Sequence, residues 1–134
     1  MEPRDAADRW REIWLRSWPS HDADAIAATY ATHHVYRSHP FREPEEGGAL
    51  GYVSRAFADE ELGTECWFGE PVVEGNRAAI ECWAILRERG RPPQTLAGTS
   101  VLRFDDDGLV VEHIDYWVMQ DSRRDPPPGW GRAD

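Results

Sequence analysis

Residues 96–117, LAGTSVLRFDDDGLVVEHIDYW, constrain the fold of this chain more than any other stretch. Two runs with strand-like composition flank the sequence Asp-Asp-Asp-Gly at 105–108, which is rich in turn formers. The stretch therefore predicts two strands joined by a tight turn. Because successive side chains of a strand point to opposite faces, the second strand places His113, Asp115 and Trp117 on one face.

The mixed chemistry of that face predicts a pocket. If this face pointed at water, the indole of Trp117 would gain nothing from burial. If it pointed into a fully packed core, burying the carboxylate of Asp115 without a partner would cost free energy. A partly enclosed pocket suits an imidazole, a carboxylate and an indole together. We therefore expect any chemistry of this protein to occur at this face.

Helices are predicted to come before most of the strands. An aromatic stripe at helical spacing predicts a first helix over 5–18, which Pro19 ends. A second helix is predicted over roughly 22–31 and a third over about 48–59, with a short strand at 35–38 between them. The helical part thus occupies the first half of the chain.

An antiparallel meander is predicted for the second half. Four strands are separated by turn-forming sequences and span 62–73, 77–88, 94–105 and 109–119. The order of elements predicts an α+β fold in which N-terminal helices pack on a curved antiparallel β-sheet. This domain is expected over 1–122, and 123–134 is expected to be a loosely held Pro-rich extension whose Trp130 can dock on the body of the domain.

Composition narrows the class of protein. The 134 residues, 40% hydrophobic with 7 tryptophans, are typical of one globular domain. The net charge of −10 argues against nucleic acid or an anionic membrane as partner. We see no secretory signal and no membrane-spanning run, so a cytoplasmic location is expected. Cys66 and Cys82 form no CxxC pair and no zinc-site spacing, which favours two reduced thiols.

Three stretches resemble the nuclear-transport-factor-two-like superfamily, and the resemblance extends over roughly 6–119. They are HDADAIAATY at 21–30, VYRSHP at 35–40 and LRFDDDGLVVEHIDYW at 102–117. The resemblance implies a cone-shaped α+β fold that encloses a pocket. GluHisIleAsp at 112–115 is similar to the "EHWD" segment of SnoaL-like polyketide cyclases, and this implies that Asp115 is an acid or base.

The terminal hairpin also resembles that of ketosteroid isomerases, but the isomerase residues are replaced. The position of their base aspartate is His39, and the position of their oxyanion-hole aspartate is Ser100. The position of their helix tyrosine is Trp14 or a neighbour. The resemblance therefore implies the fold and not steroid isomerase activity, because this fold carries enzymes, binders and assembly subunits alike.

The candidate catalytic residues are Asp115, His39 and His113, and each has a structural alternative. Asp115 is either a general base whose pKa is raised by desolvation, or a carboxylate paired with an arginine or with His113. His113 either orients Asp115 or is a satisfied histidine at the pocket wall. His39, held extended before Pro40, is either an acid or base or a loop histidine. No metal or other cofactor is expected.

Other residues are assigned to ligand binding or to packing. The residues expected to shape the pocket are Trp14, Tyr30, Trp67, Ser100 and Trp117. Core packing is the alternative for the aromatic ones. His33 and His34 are expected to be solvated or to cap a neighbouring element. Trp83 and Ile85 are expected on the outer sheet face, where an exposed apolar patch suggests a homodimer packed sheet to sheet.

These predictions lead to one functional hypothesis and two alternatives. The leading hypothesis is a cofactor-independent enzyme that transfers protons during cyclisation, isomerisation or hydration of an apolar, carbonyl-bearing small molecule. The first alternative is a non-catalytic domain that binds a small ligand in the same pocket. The second is a dimeric assembly module whose pocket is vestigial.

Overall fold

The computed structural model describes residues 1–134 and contains three helices and six strands. The helices are α1 (Pro3–Ser20), α2 (Ala23–Ala27) and α3 (Gly48–Asp59). The strands are β1 (Tyr30–Arg37), β2 (Glu65–Phe68), β3 (Val72–Glu74), β4 (Arg77–Leu86), β5 (Gln94–Phe104) and β6 (Val110–Gln120). The predicted α+β fold, with helices before a curved sheet, is confirmed.

The sheet order is β1-β6-β5-β4-β2, and β3 also pairs with β4. Strands β4, β5 and β6 form the predicted antiparallel meander. The sheet is nevertheless mixed, because β1 lies parallel to β6 at the edge, with Tyr36 opposite His113. A parallel pair needs a long connection, and the chain from α3 to β5 supplies it.

Helix α1 continues past the predicted end at Pro19. Pro19 has no N–H group to donate, but it lies in the last turn of the helix, where this loss is tolerated. His21 then ends the helix in the left-handed conformation, with φ of 56°. The His21 backbone N–H donates to the Trp18 carbonyl at 3.1 Å, which gives a partner to one of the carbonyl groups that the end of the helix leaves without an intrahelical bond.

Helix α2 is shorter than predicted, and Tyr30 belongs to β1. The Thr29 hydroxyl and the Thr29 N–H both bond to the Ile26 carbonyl, at 2.8 and 3.1 Å, and this closes the helix. The Thr29 carbonyl accepts a hydrogen bond from the Val110 N–H at 3.0 Å. The chain therefore pairs with β6 at this point instead of continuing as a helix.

The strand predicted at 62–73 is divided into β2 and β3. Pro71 has no N–H to donate to a sheet, and the Gly69 N–H bonds across to the Glu81 carbonyl at 2.9 Å. Helix α3 matches its prediction, and His34 caps it. The Ala49 N–H donates to His34 Nε2 at 3.0 Å, while His34 Nδ1 lies 2.6 Å from the Ala31 carbonyl oxygen.

The C-terminal segment 123–134 contacts the outer face of the sheet. The Trp83 indole N–H donates to the Arg124 carbonyl at 2.8 Å, and Trp130 packs edge-on against Trp83 at 6.0 Å between ring centroids. The predicted docking of Trp130 is therefore confirmed. Ile85, expected to be exposed, is fully buried within the single chain.

The main core lies between α1 and the inner face of the sheet. It includes the fully buried side chains of Trp10, Ile26, Val53, Ile80 and Leu102. No helix of the structure combines the length and the apolar character that crossing a membrane would require.

Candidate functional site

A cavity of about 310 Å³ lies between the helices and the inner face of the sheet. One wall is formed by the indoles of Trp10, Trp14 and Trp18, which we call the indole wall. Their spacing of four residues places them on one face of α1, and eight residues of helix rise by about 12 Å. The ring centroids are 5.5 Å apart from Trp10 to Trp14 and 5.8 Å from Trp14 to Trp18.

Asp115 lines this cavity and accepts three side-chain hydrogen bonds. Ser100 Oγ and His113 Nε2 lie 2.6 and 2.5 Å from its Oδ1, and the Tyr36 hydroxyl lies 2.7 Å from its Oδ2. These donors come from β5, β6 and β1, so the central pairing of the sheet positions the carboxylate. The Asp115 side chain is 20% exposed.

A line of hydrogen bonds runs behind His113 into the core. The Tyr30 hydroxyl lies 2.8 Å from His113 Nδ1, and the Trp10 indole N–H donates to the Tyr30 oxygen at 3.1 Å. Since Trp10 already donates to Tyr30, the phenol is free to donate its own proton to Nδ1. His113 then carries its proton on Nε2 and donates it to Asp115, which satisfies every member of the line.

These contacts determine the ionisation of Asp115. Burial raises the pKa of the carboxyl, but the adjacent His113 and the hydrogen bonds from His113, Ser100 and Tyr36 together hold it below its usual range. The prediction that desolvation raises this pKa is therefore wrong. Desolvation is present, yet three donors stabilise the charged form more strongly. At neutral pH Asp115 is a carboxylate.

Two tyrosines of the cavity were not identified from the sequence. Tyr36 donates to Asp115, and burial raises its pKa well above the usual value, so it stays protonated. Tyr52 of α3 lines the same cavity, and burial raises its pKa to about 12. Its ring lies 5.1 Å from that of Tyr36. Alternation along 35–38 could have assigned Tyr36 to the inner face, since it pairs with His113.

Glu60 is a second buried carboxyl group of the cavity, also missed by the sequence predictions. It follows the last residue of α3, is 6% exposed and lines the cavity. Trp18 Nε1 lies 3.0 Å from its Oε2 and His21 Nε2 lies 3.1 Å from the same oxygen. Burial raises the pKa of Glu60, although Trp18, Thr64 and His21 oppose the shift.

The structure brings together only part of the predicted site. Trp14, Ser100, His113, Asp115 and Trp117 line the cavity. The Trp117 indole also donates to the Ser38 carbonyl at 2.6 Å, which anchors it.

Three other predicted residues lie elsewhere. His39 lies in a groove on the outer side of the sheet, where its Nδ1 accepts from the Phe41 N–H at 3.2 Å. Trp67 lies in another outer groove beside Trp130. Tyr30 supports His113 from behind and does not line the cavity. His39 and Trp67 come from segments whose inner and outer faces the sequence pattern could not distinguish.

The remaining titratable groups carry no further centre. Histidine, cysteine and carboxylate side chains nowhere form a group of three or more that could hold a metal ion. Both cysteines are free thiols, as predicted. Burial raises the pKa of Cys66 to about 12 and that of Cys82 still higher, so neither is a thiolate at neutral pH.

The sequence of this chain matches the model of the SnoaL-like domain over residues 12–113. The protein therefore belongs to the SnoaL-like domain family. No curated protein matches the chain.

Solved structures confirm the fold at low sequence identity. A hypothetical protein of Catenulispora acidiphila DSM 44928 with a ketosteroid isomerase-like fold, in complex with trimethylamine, has a TM-score of 0.68 and 18% identity over 78% of this chain and 82% of its own. A Mycobacterium tuberculosis LEH-like epoxide hydrolase has a TM-score of 0.67 and 20% identity over 85% and 84%. SalBIII is an epoxide hydrolase/cyclase-like enzyme with a role in pyran ring formation in polyether salinomycin. It has a TM-score of 0.69 and 16% identity over 88% of this chain and 96% of its own.

Proposed function

We propose that this protein is an enzyme that transfers protons, without a cofactor, during cyclisation, isomerisation or hydration of an apolar, carbonyl-bearing small molecule. One observation supports this more than any other: an ionised carboxylate, Asp115, lies in a largely apolar cavity with one acceptor position uncommitted. A carboxylate has about four lone-pair sites. Oδ1 accepts two bonds and Oδ2 only one, from Tyr36.

The proposed step uses that uncommitted position as a general base. Asp115 Oδ2 accepts a proton from the ligand carbon next to the carbonyl, and the electron pair of the broken C–H bond moves toward the carbonyl oxygen. In this proposal Tyr52, which lines the cavity and stays protonated, donates a hydrogen bond to that oxygen. In a hydration Oδ2 takes a proton from water as the water oxygen bonds to a ligand carbon. The electron pair of the carbonyl π bond, or of the epoxide C–O bond that breaks, moves to the ligand oxygen, to which Tyr52 donates its hydrogen bond.

His113, Tyr30 and Ser100 act as positioning residues in this mechanism. The Nε2–H of His113 and the hydroxyl of Ser100 occupy Oδ1, which leaves Oδ2 as the reacting oxygen. Tyr30 holds the His113 tautomer from the far side. The lowered pKa makes Asp115 a weak base that is fully ionised at neutral pH, so positioning must supply most of the rate.

Two of the solved structures with a similar fold suggest which substrates to assay first. They are named as an epoxide hydrolase and as an epoxide hydrolase/cyclase-like enzyme. Hydration of epoxides and closure of ether rings both need proton transfer to or from oxygen. Terpenoid and polyketide epoxides therefore belong in the assay beside aromatic ketones.

The test begins with a search for ligands by thermal stabilisation, since binding to the folded state raises the melting temperature. Each ligand found is then incubated with the wild-type protein and with Asp115→Asn, and product is measured by chromatography. We expect turnover by the wild type that the variant loses. Ligands that bind but are never converted would contradict the enzymatic proposal.

The non-catalytic alternative is favoured by one specific observation. Every donor around Asp115 is an internal side chain, and the pKa of Asp115 is lowered, as in an ordinary structural carboxylate. A binding domain would use the same cavity to hold an apolar ligand. It predicts equal affinity for the ligand in the wild type and in Asp115→Asn, with no product from either.

We also propose a homodimer that packs through the outer face of the sheet, near Trp83 and Ile85. The apolar surface left uncovered beside the C-terminal segment includes Val118, which is 72% exposed, and Tyr116. Sedimentation over a range of concentrations tests this, with Val118→Asp as the disrupting variant. A concentration-independent monomer would contradict it. The cytoplasmic location stays a prediction.

A further inference from the structure

The proton-transfer mechanism leaves one buried carboxyl group of the cavity unused. Glu60 lies at the Trp18 end of the indole wall, and Asp115 lies at the Trp10 end, which it reaches through His113 and Tyr30. Trp10 and Trp18 are two helical turns apart, which corresponds to about 12 Å. Glu60 and Asp115 share no hydrogen-bond partner, so we assign them separate roles.

The hydrogen bonds of Glu60 leave acceptor capacity on one of its oxygens, although the Thr64 hydroxyl also lies close enough to lower the pKa of the carboxyl. Oε2 accepts from Trp18 at 3.0 Å and lies 3.1 Å from His21 Nε2, whereas Oε1 has only the longer 3.3 Å branch from Trp18. A buried carboxylate oxygen with spare acceptor capacity is unusual, because buried polar groups are generally paired. Since Glu60 lines the cavity, a ligand can supply the missing donor.

The carboxyl group is held in place from behind. The His21 ring stacks on Phe57 with 4.3 Å between centroids and planes 5° apart. The same residue ends α1 in the left-handed backbone conformation, which is uncommon for a residue with a side chain. Glu60 is thereby positioned as a fixed acceptor at the end of the cavity.

The surrounding charges favour a donor rather than an anion. Asp59 and Glu88 also line the cavity, and Glu88 pairs with Glu60 through a backbone bridge. The cavity's arginine, Arg42, lies over the Trp117 ring at 5.3 Å instead. An anionic group at the Glu60 end would meet the carboxyl groups of Glu60 and Asp59, since Glu88 is already paired with Arg91 at 3.1 Å, whereas a hydroxyl or ammonium group would be attracted.

We infer that Glu60 is a ligand-binding residue whose Oε1 accepts a hydrogen bond from a hydroxyl or ammonium group at the end of an elongated apolar ligand. The body of the ligand lies along the indole wall, and its carbonyl end lies at Asp115. The inference rests on the proposed function for the placement of the carbonyl end. It adds a substrate class: elongated molecules that extend along the indole wall, which spans about 12 Å of helix, with a polar group at each end.

Binding of three matched probes tests the inference without requiring turnover. The probes are a straight-chain decanone with the ketone near one end, and its counterparts with a hydroxyl or an ammonium group at the other end. Dissociation constants are measured by quenching of tryptophan fluorescence, because three indoles form the cavity wall. The wild type should bind both substituted probes about tenfold more tightly than the plain ketone, the scale of a hydrogen bond to a charged group.

Variants identify the residue responsible. Glu60→Leu should abolish the preference for both substituted probes while keeping the affinity for the plain ketone. Glu61→Leu, at the exposed neighbouring position, is the matched control and should keep the preference. Glu60→Gln keeps an acceptor oxygen without charge, so it should retain part of the hydroxyl preference and lose the ammonium preference. If Glu60→Leu does not fold, Glu60→Gln carries the test alone.

The remaining outcomes separate this inference from the proposed function. Asp115→Asn, which should abolish turnover, should leave the preference for the terminal hydroxyl unchanged. Failure to find turnover with an intact Glu60-dependent preference would overturn the catalytic proposal only. Equal affinity for all three probes in the wild type, a preference that survives in Glu60→Leu, or no binding of any probe would overturn the inference.

Discussion

Asp115 and Glu60 are two buried carboxyl groups of one cavity, and their surroundings shift their pKa values in opposite directions. Asp115 lies in the middle of the sheet, where three neighbouring strands each supply a donor at 2.7 Å or less. Glu60 lies where a helix ends, and its donors are 3.0 Å away or more. The pKa is lowered at Asp115, whose side chain is 20% exposed, and raised at the more enclosed Glu60, whose side chain is 8% exposed.

Shorter donor distances and greater exposure both favour the charged form of Asp115 over that of Glu60. A central position in a sheet brings side chains of adjacent strands within about 5 Å of one another, so several donors can converge. A helix end offers no such convergence. Opposite shifts within one cavity also let the two groups take different roles, one as base and one as acceptor.

The largest expected effect is on catalysis. Asp115→Asn keeps the shape of the side chain and removes the titrating group, so kcat on a converted substrate should fall by about 10²-fold or more. Ligand affinity should change much less. Asp106→Asn, the same change in the exposed turn after β5, is the control and should leave kcat unchanged. Intact turnover in Asp115→Asn would place the chemistry elsewhere.

The second effect concerns the support behind Asp115. Tyr30→Phe removes the hydroxyl between Trp10 and His113 and leaves a buried donor and a buried acceptor without partners. The free energy of unfolding should fall by about 2 kcal/mol or more, as is usual for unsatisfied buried groups. Urea denaturation measures this. In the control Tyr116→Phe, at an exposed position, the free energy of unfolding should fall by less than about 0.5 kcal/mol.

The third effect is a difference in pH dependence. Because the pKa of Asp115 is lowered on folding, Asp115 stabilises the protein above its unfolded value of about 3.9, and this contribution is lost as the pH falls through the folded pKa. Because the pKa of Glu60 is raised, its contribution is full below about 4.3 and is lost as the pH rises through the folded pKa.

Glu60→Gln tests this sign directly. As the pH rises from about 4 toward neutrality, the free energy of unfolding of Glu60→Gln should increase relative to that of the wild type, because the variant has no carboxyl group to ionise. Denaturant titrations at several pH values measure the difference. Glu61→Gln should follow the wild type. A constant difference between Glu60→Gln and wild type would show that the Glu60 pKa is unshifted.

The smallest effect lies outside the cavity and sets a baseline for both carboxyl groups. Trp130→Ala removes the edge contact with Trp83 on the outer face of the sheet. We expect a loss of about 1 kcal/mol in the free energy of unfolding, the scale of such an aromatic pair. Its pH dependence should be that of the wild type. A changed pH dependence would mean that the outer face influences the cavity.

The sequence predicted the fold well because local and topological rules agree. Period-two alternation placed His113, Asp115 and Trp117 on one face, and the turn at 105–108 fixed the hairpin that carries them. Errors occurred where a distant contact decided the outcome. Tyr30 has a helical context in sequence, yet pairing with Val110 makes it the first residue of a strand.

The site was predicted less completely for a similar reason. Alternation identifies a face but cannot count the donors that other strands bring to it, so the direction of the Asp115 pKa shift was predicted wrongly. Glu60 carries no local signal, because a glutamate at a helix end is ordinarily solvated. Only the packing of Trp18 and His21 around it, from a different helix, reveals its burial.

The parallel pairing of β1 with β6 has a consequence for how the protein folds. The contacts Tyr30–His113 and Tyr36–Asp115 join residues 83 and 79 positions apart. Closing so long a loop costs entropy before any contact repays it, and such pairings slow folding. During synthesis, a ribosome-bound chain lacking β6 can form its helices but not this carboxylate cluster. The hydrogen-bonded cluster around Asp115 is therefore among the last features that the chain acquires.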